Sequence, residues 1–247
     1  MQPLIPALLA PHPPAAASVP SSGLIAQWEA DQLVLSDGDA VASWPDLSSS
    51  ARTLTQTTDL YKPTFRPNQW GTKPAVFFDG GAAFPDVLQF TPVALTAFSV
   101  FSVLMPDFAS VGAYSLALLN WSLGSGDLSG FALPGDGAGF GVPHLTCRNA
   151  AGTETQNKKM SGVAWSTLTK HLATWTYDGT TVAGRSDGVA RTIVAGDSSY
   201  GNPGPYIGYI YQHFKGYLAA LIVYNRVLSG AEITQVESYL NGKYPTF

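Results

Sequence analysis

Two Asp-Gly dipeptides, Asp178-Gly179 and Asp187-Gly188, stand nine residues apart behind the run HLATWTY (171–177). Asp-Gly favours tight turns whose backbone twist matches that of paired strands, so 171–193 reads as strand, turn, strand, turn, strand. Such a meander requires an antiparallel sheet, because parallel neighbours need crossovers of a dozen or more residues. The same grammar runs from Gly23 almost to the C-terminus. FSVFSVLM (98–105) and YLAALIVY (217–224) are rich in β-branched and aromatic residues, and Gly, Pro, Asp or Asn clusters bound or separate them. Short strands at this spacing predict an all-β sandwich. The stretch 123–141, with Gly124, Gly126, Gly130, Gly135, Gly137, Gly139 and Gly141, reads as loop-rich. No repeat of fixed period is present.

One helix is signed. Ser229 and Glu232 form a capping box, Leu228 and Ile233 stand where a hydrophobic staple would, and Ile233, Val236 and Leu240 recur at helical spacing. A short amphipathic helix over about 229–241 is expected, docked on the sandwich. Gly242 is expected to stop it, with Pro245 beyond.

Only 12% of the 247 residues are charged, about half the usual share, so partners are expected to cover part of the surface. A homo-oligomer or an assembly with neighbouring structural subunits is expected. The net charge is -4 and no run of Lys or Arg occurs, which leaves no footprint for nucleic acid or anionic lipid. Cys147 is the sole cysteine, which excludes an intrachain disulfide and any Cys-based zinc or iron-sulfur site.

Residues 1–22 stand apart from the domain expected over 23–247. No charged side chain precedes Glu29, as in a secretory leader, but a leader needs a basic start and an unbroken apolar run. Pro3, Pro6, Pro11, Pro13, Pro14 and Pro20 break every helical turn that could form, and so exclude a membrane span as well. The segment reads as an extended assembly arm, retained rather than processed, with Leu4, Ile5, Leu8 and Leu9 as apolar anchors on a neighbouring subunit.

GLIAQWEADQL, SDGDAVASWPDLSSSARTLTQ and KPAVFFDG near the start of the domain, HLATWTYDGTTVAGRSDG in its back half, and YIGY followed by FKGYLAALIVYNRVLSGAEITQVESYLNGKY at its end carry a resemblance. Together they resemble the concanavalin A-like jelly rolls of laminin-G type found in bacterial and phage proteins. The resemblance implies two antiparallel sheets in a sandwich, on which members bind glycans, bind proteins or hydrolyse polysaccharide. In its light Trp28, Trp44, Phe77 and Phe78 are expected in the core, and Asp37-Gly38-Asp39 and Asp79-Gly80 as turns; the spacing matches no complete calcium loop, so calcium has no support and no cofactor is expected.

Hydrolytic relatives implied by the resemblance place two Glu on one strand. This chain has four Glu, of which Glu232 and Glu237 fall on the expected helix, Glu29 has no second Glu beside it, and Glu154 is isolated. No catalytic residue is assigned. Gly184-Arg185-Ser186-Asp187-Gly188 matches a nucleophile elbow in spelling only, because a strand rather than a helix is expected after it. His12, His144, His171 and His213 show no zinc spacing.

Sugar rings stack on aromatic faces while nearby polar groups bond their hydroxyls. Trp70, Trp121, Tyr200, Tyr206 and Tyr209 are the candidate stacking residues, with Asp127 and Asn202 as hydroxyl partners; packing or a protein interface is the competing role for each. The expected function is a non-enzymatic structural or binding protein, a phage virion component such as a capsid decoration or tail-fibre protein, anchored by its arm and able to hold a host-surface glycan. A free carbohydrate-binding module or adhesin at a bacterial surface is the alternative, and a polysaccharide hydrolase a third.

Overall fold

The structure is a computed structural model that describes residues 18–80, 86–91, 93, 95–108, 115–121, 129–134, 140–148, 154–196, 209–210 and 214–247; at 115–121, 129–134, 140, 146–148, 154–157 and 209–210 it describes the backbone alone. The first strands are β1 (Leu24–Glu29), β2 (Ser43–Trp44), β3 (Leu54–Thr55), β4 (Thr64–Trp70), β5 (Lys73–Asp79), β6 (Leu88–Gln89) and β7 (Phe98–Pro106). Next come β8 (Ser115–Trp121), β9 (Ser129–Pro134), β10 (Phe140–Gly141), β11 (His144–Arg148), β12 (Glu154–Met160) and β13 (Trp165–Ser166). The last are β14 (His171–Tyr177), β15 (Val182–Ser186), β16 (Val189–Arg191), β17 (Ile193–Ala195), β18 (Tyr209–Ile210) and β19 (Lys215–Tyr224), followed by the helix α1 (Gly230–Lys243).

Eight strands form the large sheet, in the order β16, β15, β14, β7, β19, β5, β4, with β1 replacing β5 along the second half of β19. Its pairings are antiparallel. The expected meander is present as β14, β15 and β16, and both Asp187 and Gly188 adopt positive φ, as the tightest hairpin turn demands. A second layer holds a five-stranded sheet (β17, β12, β11, β9, β8) and a four-stranded one (β18, β6, β3, β2). The fold is an all-β antiparallel sandwich with one C-terminal helix.

Alternation sends Phe98, Val100 and Leu104 of β7, Ala173, Trp175 and Tyr177 of β14, and Leu218, Leu221 and Val223 of β19 to the inner face. There they meet Trp44, Leu54 and Leu88 from one small sheet and Leu145 and Met160 from the other. The opposite set, with Phe101, Val103, Leu172 and Ile222, packs outward against Val236 and Leu240 of the helix and Tyr244 just after it. All nine residues of β7 are therefore buried, because both of its faces are covered.

The capping box forms as expected, with the Ser229 side chain accepting from Glu232 N–H. The helix does not stop at Gly242. It runs on to Lys243, one residue past the glycine, where Lys243 reaches Glu29 and Asp31 while the fully buried Tyr244 bonds Asp31. Pro245 then disfavours helical backbone at Tyr244. Trp28, Trp44 and Phe78 are core residues as expected. Phe77 is not: it is half-buried and pairs across strands with Tyr217, ring centroids 4.9 Å apart.

Of the expected arm, residues 1–17, with Leu4, Ile5, Leu8 and Leu9, lie outside the described residues. Its last five residues, 18–22, are fastened to the chain's own body. Gln235 Nε2 donates to Ser18 O at 2.7 Å and Arg226 Nε to Ser22 O at 2.9 Å, while Val19 packs on the helix-side core.

Candidate functional site

The chain passes from the large sheet to the second layer at one residue, Thr192, between β16 and β17. That corner leaves a gap between the layers. One wall is β17 with its partner β12; the other is Val182 and the turn that joins β14 to β15. The groove between them is open, has a volume of about 320 Å3, and is lined by Lys158, Thr180, Thr181, Val182, Ile193, Val194 and Ala195.

Local chemistry fixes each wall. Asp178 Oδ1 accepts from Thr180 N–H at 2.8 Å, from Thr180 Oγ1 at 2.8 Å and from Thr181 N–H at 2.7 Å. These bonds hold its carboxyl below the usual range and rigidify the turn that carries the two threonines. β17 is the end strand of its sheet, paired with β12 on one side, so alternate main-chain groups face away from the ladder. The floor is apolar: Val182 is buried in the inter-sheet core, and Ile193 packs on it. Hydroxyls, an ammonium and edge backbone over an apolar floor form a surface able to hold a hydroxylated ligand. A second recess, lined by Ile25, Trp28, Phe90, Val93 and Leu95 among others, has about 10 Å3, room for one water at most.

The three glutamates whose side chains are described are all engaged. Glu29, with no exposed surface, receives bonds from Tyr239 Oη at 2.8 Å and from Gln27 Nε2, and pairs with Lys243. Burial, and then the Glu29 charge, push the Tyr239 hydroxyl up to about 12. Glu237, also buried, accepts from Thr174 Oγ1 and Arg185 Nε, each at 2.8 Å. Glu232 is chelated by both terminal nitrogens of Arg226, which with Ser229 holds its carboxyl down to about 2. The Glu154 side chain is not described.

Ser186, His171 and Asp187 come together, but not as a nucleophilic triad. Ser186 Oγ donates to Asp187 Oδ2 at 3.0 Å, and His171 Nδ1 contacts the same oxygen at 3.0 Å, so the carboxylate stands where a base would be needed. Trp165 donates to Ser186 Oγ at 3.0 Å and stacks on His171, centroids 4.4 Å apart and planes 4° from parallel. A strand, β16, follows the turn, as expected. Among the described residues no cluster of three or more His, Cys, Asp or Glu has the geometry to hold a metal ion.

Trp70, expected as a sugar-stacking residue, is 2% exposed. It ends β4 facing outward into the helix-side core beside Ala75 and Phe101, with Lys170 Nζ 5.5 Å from its ring centre. Its faces are therefore covered by protein rather than open to a sugar. Trp121 and Tyr209 lie on β8 and β18, where the backbone alone is described; Asp127, Tyr200, Asn202 and Tyr206 lie outside the described residues. Of the expected site residues only Trp70 is described with its side chain, and it is not among the residues lining the groove. Lys158, Thr180 and Thr181 were missed, although alternation back from Met160 in QNKKM would have turned Lys158 inward.

The sequence matches no protein-family model and no curated protein. Among solved structures the chain resembles the binding domain of Paraclostridial Mosquitocidal Protein 1, with a TM-score of 0.59 at 12% identity over 89% of this chain and 53% of that one. It also resembles domain 4 of AbnA, an extracellular GH43 arabinanase from Geobacillus stearothermophilus, in complex with arabinotriose; the TM-score is 0.55 at 13% identity, over 88% of this chain and 100% of that one. Botulinum neurotoxin type C matches with a TM-score of 0.53 at 10% identity, over 88% of this chain and 51% of that one. The chain spans about half the length of the two toxin chains. At these identities the likeness is one of fold.

Proposed function

We propose that the chain is a carbohydrate-binding β-sandwich module that holds a saccharide without cleaving it. The observation that carries this is the lining of the groove: hydroxyls, an ammonium and strand-edge backbone, with no carboxylate among the lining residues. Glycoside hydrolysis by the usual route needs two carboxyl groups facing one sugar, about 5–9.5 Å apart, whereas Glu29, Glu232 and Glu237 are each tied to cations and hydroxyls. The fold is that of domains put to such use, one in complex with arabinotriose and one in a toxin whose cell entry depends on gangliosides. The test is a glycan array followed by a reducing-end assay on every glycan that binds. Binding without release is expected; release abolished by changing one carboxylate would overturn the reading.

A second reading, a component of a phage particle joined to it by the N-terminal arm, draws on the Pro-rich segment and the low charge. Residues 18–22 pack on the chain's own helix side, so in this reading residues 1–17 make the contact with the particle. Deleting 1–17 then leaves the melting transition unchanged and abolishes incorporation into the particle, read by gel analysis of purified particles; normal incorporation would remove this role.

A further inference from the structure

Lys158 stands in a row that a sandwich interior fills with apolar side chains. On β12 it shares a face with Met160, which is fully buried between the layers. Across the sheet it is in register with the buried Leu145 on one side and with the exposed Ala195, on the edge strand, on the other. Lysine is rarely kept at such a place unless its ammonium reaches water or an anion. Lys158 is half-buried and lines the groove, and its ammonium has neither an ion pair nor a hydrogen bond to any described residue. Several other half-buried cations are paired: Lys243 with Glu29 and Asp31, Arg185 with Glu237, Lys215 with Asp107. The carboxylate of the facing turn, Asp178, has Oδ1 occupied by its own turn.

We propose that the groove is a subsite for a carboxylated sugar, a uronate or sialate unit, with Lys158 as the anchor of the carboxylate and Thr181 and the edge of β17 as partners of the ring hydroxyls. This rests on the carbohydrate-binding reading and adds its charge class. An ammonium at the mouth of an apolar gap gains a charge-assisted bond from an acidic sugar and gains less from a neutral one.

Isothermal titration with two matched pairs of probes tests it: 3′-sialyllactose against lactose, and trigalacturonate against its carboxyl-reduced trisaccharide. The acidic member of at least one pair is expected to bind about tenfold or more tighter, with a margin that shrinks as salt rises. Lys158→Met, which keeps the buried stem, removes that margin; Lys158→Arg preserves it; Lys159→Met, on the opposite face of β12, leaves it unchanged. Equal affinity within both pairs, or a margin that survives Lys158→Met, overturns the proposal and leaves the module reading standing. Failure of all four probes to bind also overturns it, and the module reading falls with it only if a broad glycan array is blank.

Discussion

Glu29 illustrates how single residues are used in this molecule. A carboxylate with no exposed surface is tolerated because Lys243, Tyr239 and Gln27 converge on it from two elements. Removing one partner of a buried pair costs far more than the pair itself contributes, since the charge left behind is uncompensated. Lys243→Met is therefore expected to destabilise the fold by about 3 kcal/mol, measured by urea unfolding, and Glu29→Gln in the same background to recover part of the loss. Asp86 works in the opposite sense. Burial, with a smaller push from the Asp79 charge, raises its carboxyl to about 7 from 3.8, against the lowering effect of the bond from Asp79 N–H. The folded chain therefore holds a proton that the unfolded chain has lost between those values, and this group's contribution to stability falls as pH rises from about 4 to about 7. Asp86→Asn should melt like the parent at pH 4 and a few degrees higher at pH 8; equal transitions at both pH values would show that the carboxyl titrates normally.

At the scale of elements, β19 organises the large sheet. Its first half pairs with β5 and its second with β1, and the register shift at Ala219, between Leu218 and Ala220, falls where the neighbour changes. Gly216 sits just before it with φ +141, and a Cβ there would lie 2.5 Å from Met105 O and 2.8 Å from Pro106 Cα. Backbone cannot yield as a side chain tip can, so Gly216→Ala is expected to cost about 2 kcal/mol or more in thermal or urea unfolding. Which elements could be read from sequence follows from the same physics. β14 coincides with HLATWTY and the capping box fixes the start of α1, because alternation, turn dipeptides and caps are local signals. The end of α1 was missed because long-range bonds from Lys243 and Tyr244 to β1 and the turn after it override the glycine. β12, spelled ETQNKKM, is poor in the β-branched and aromatic residues of a strand, and only the alternation ending at Met160 hinted at the groove wall it forms.

At the scale of the whole molecule, the fold class was legible, whereas of the residues expected at a sugar site Trp70 alone is described with its side chain, and it is buried. Turn spacing constrains a sandwich strongly, whereas a ligand groove depends on where two layers part, at a corner one residue long. Aromatic residues were the sequence guide to a sugar site, and the large aromatics of the described chain are mostly engaged in covering the two faces of β7 and its neighbours, as Trp70, Trp165 and Trp175 are. The open gap beside β17 is where the proposed saccharide would sit. The most direct test of this account is a titration of the 15N-labelled chain with the strongest-binding glycan of an array, followed by amide chemical shifts. Saturable shifts centred on Lys158, on Thr180 to Val182 and on Ile193 to Ala195, with the ligand's own signals unchanged over time, are the predicted result. Shifts centred instead on the half-buried pair Phe77 and Tyr217, or loss of the ligand signals to shorter products, would contradict it.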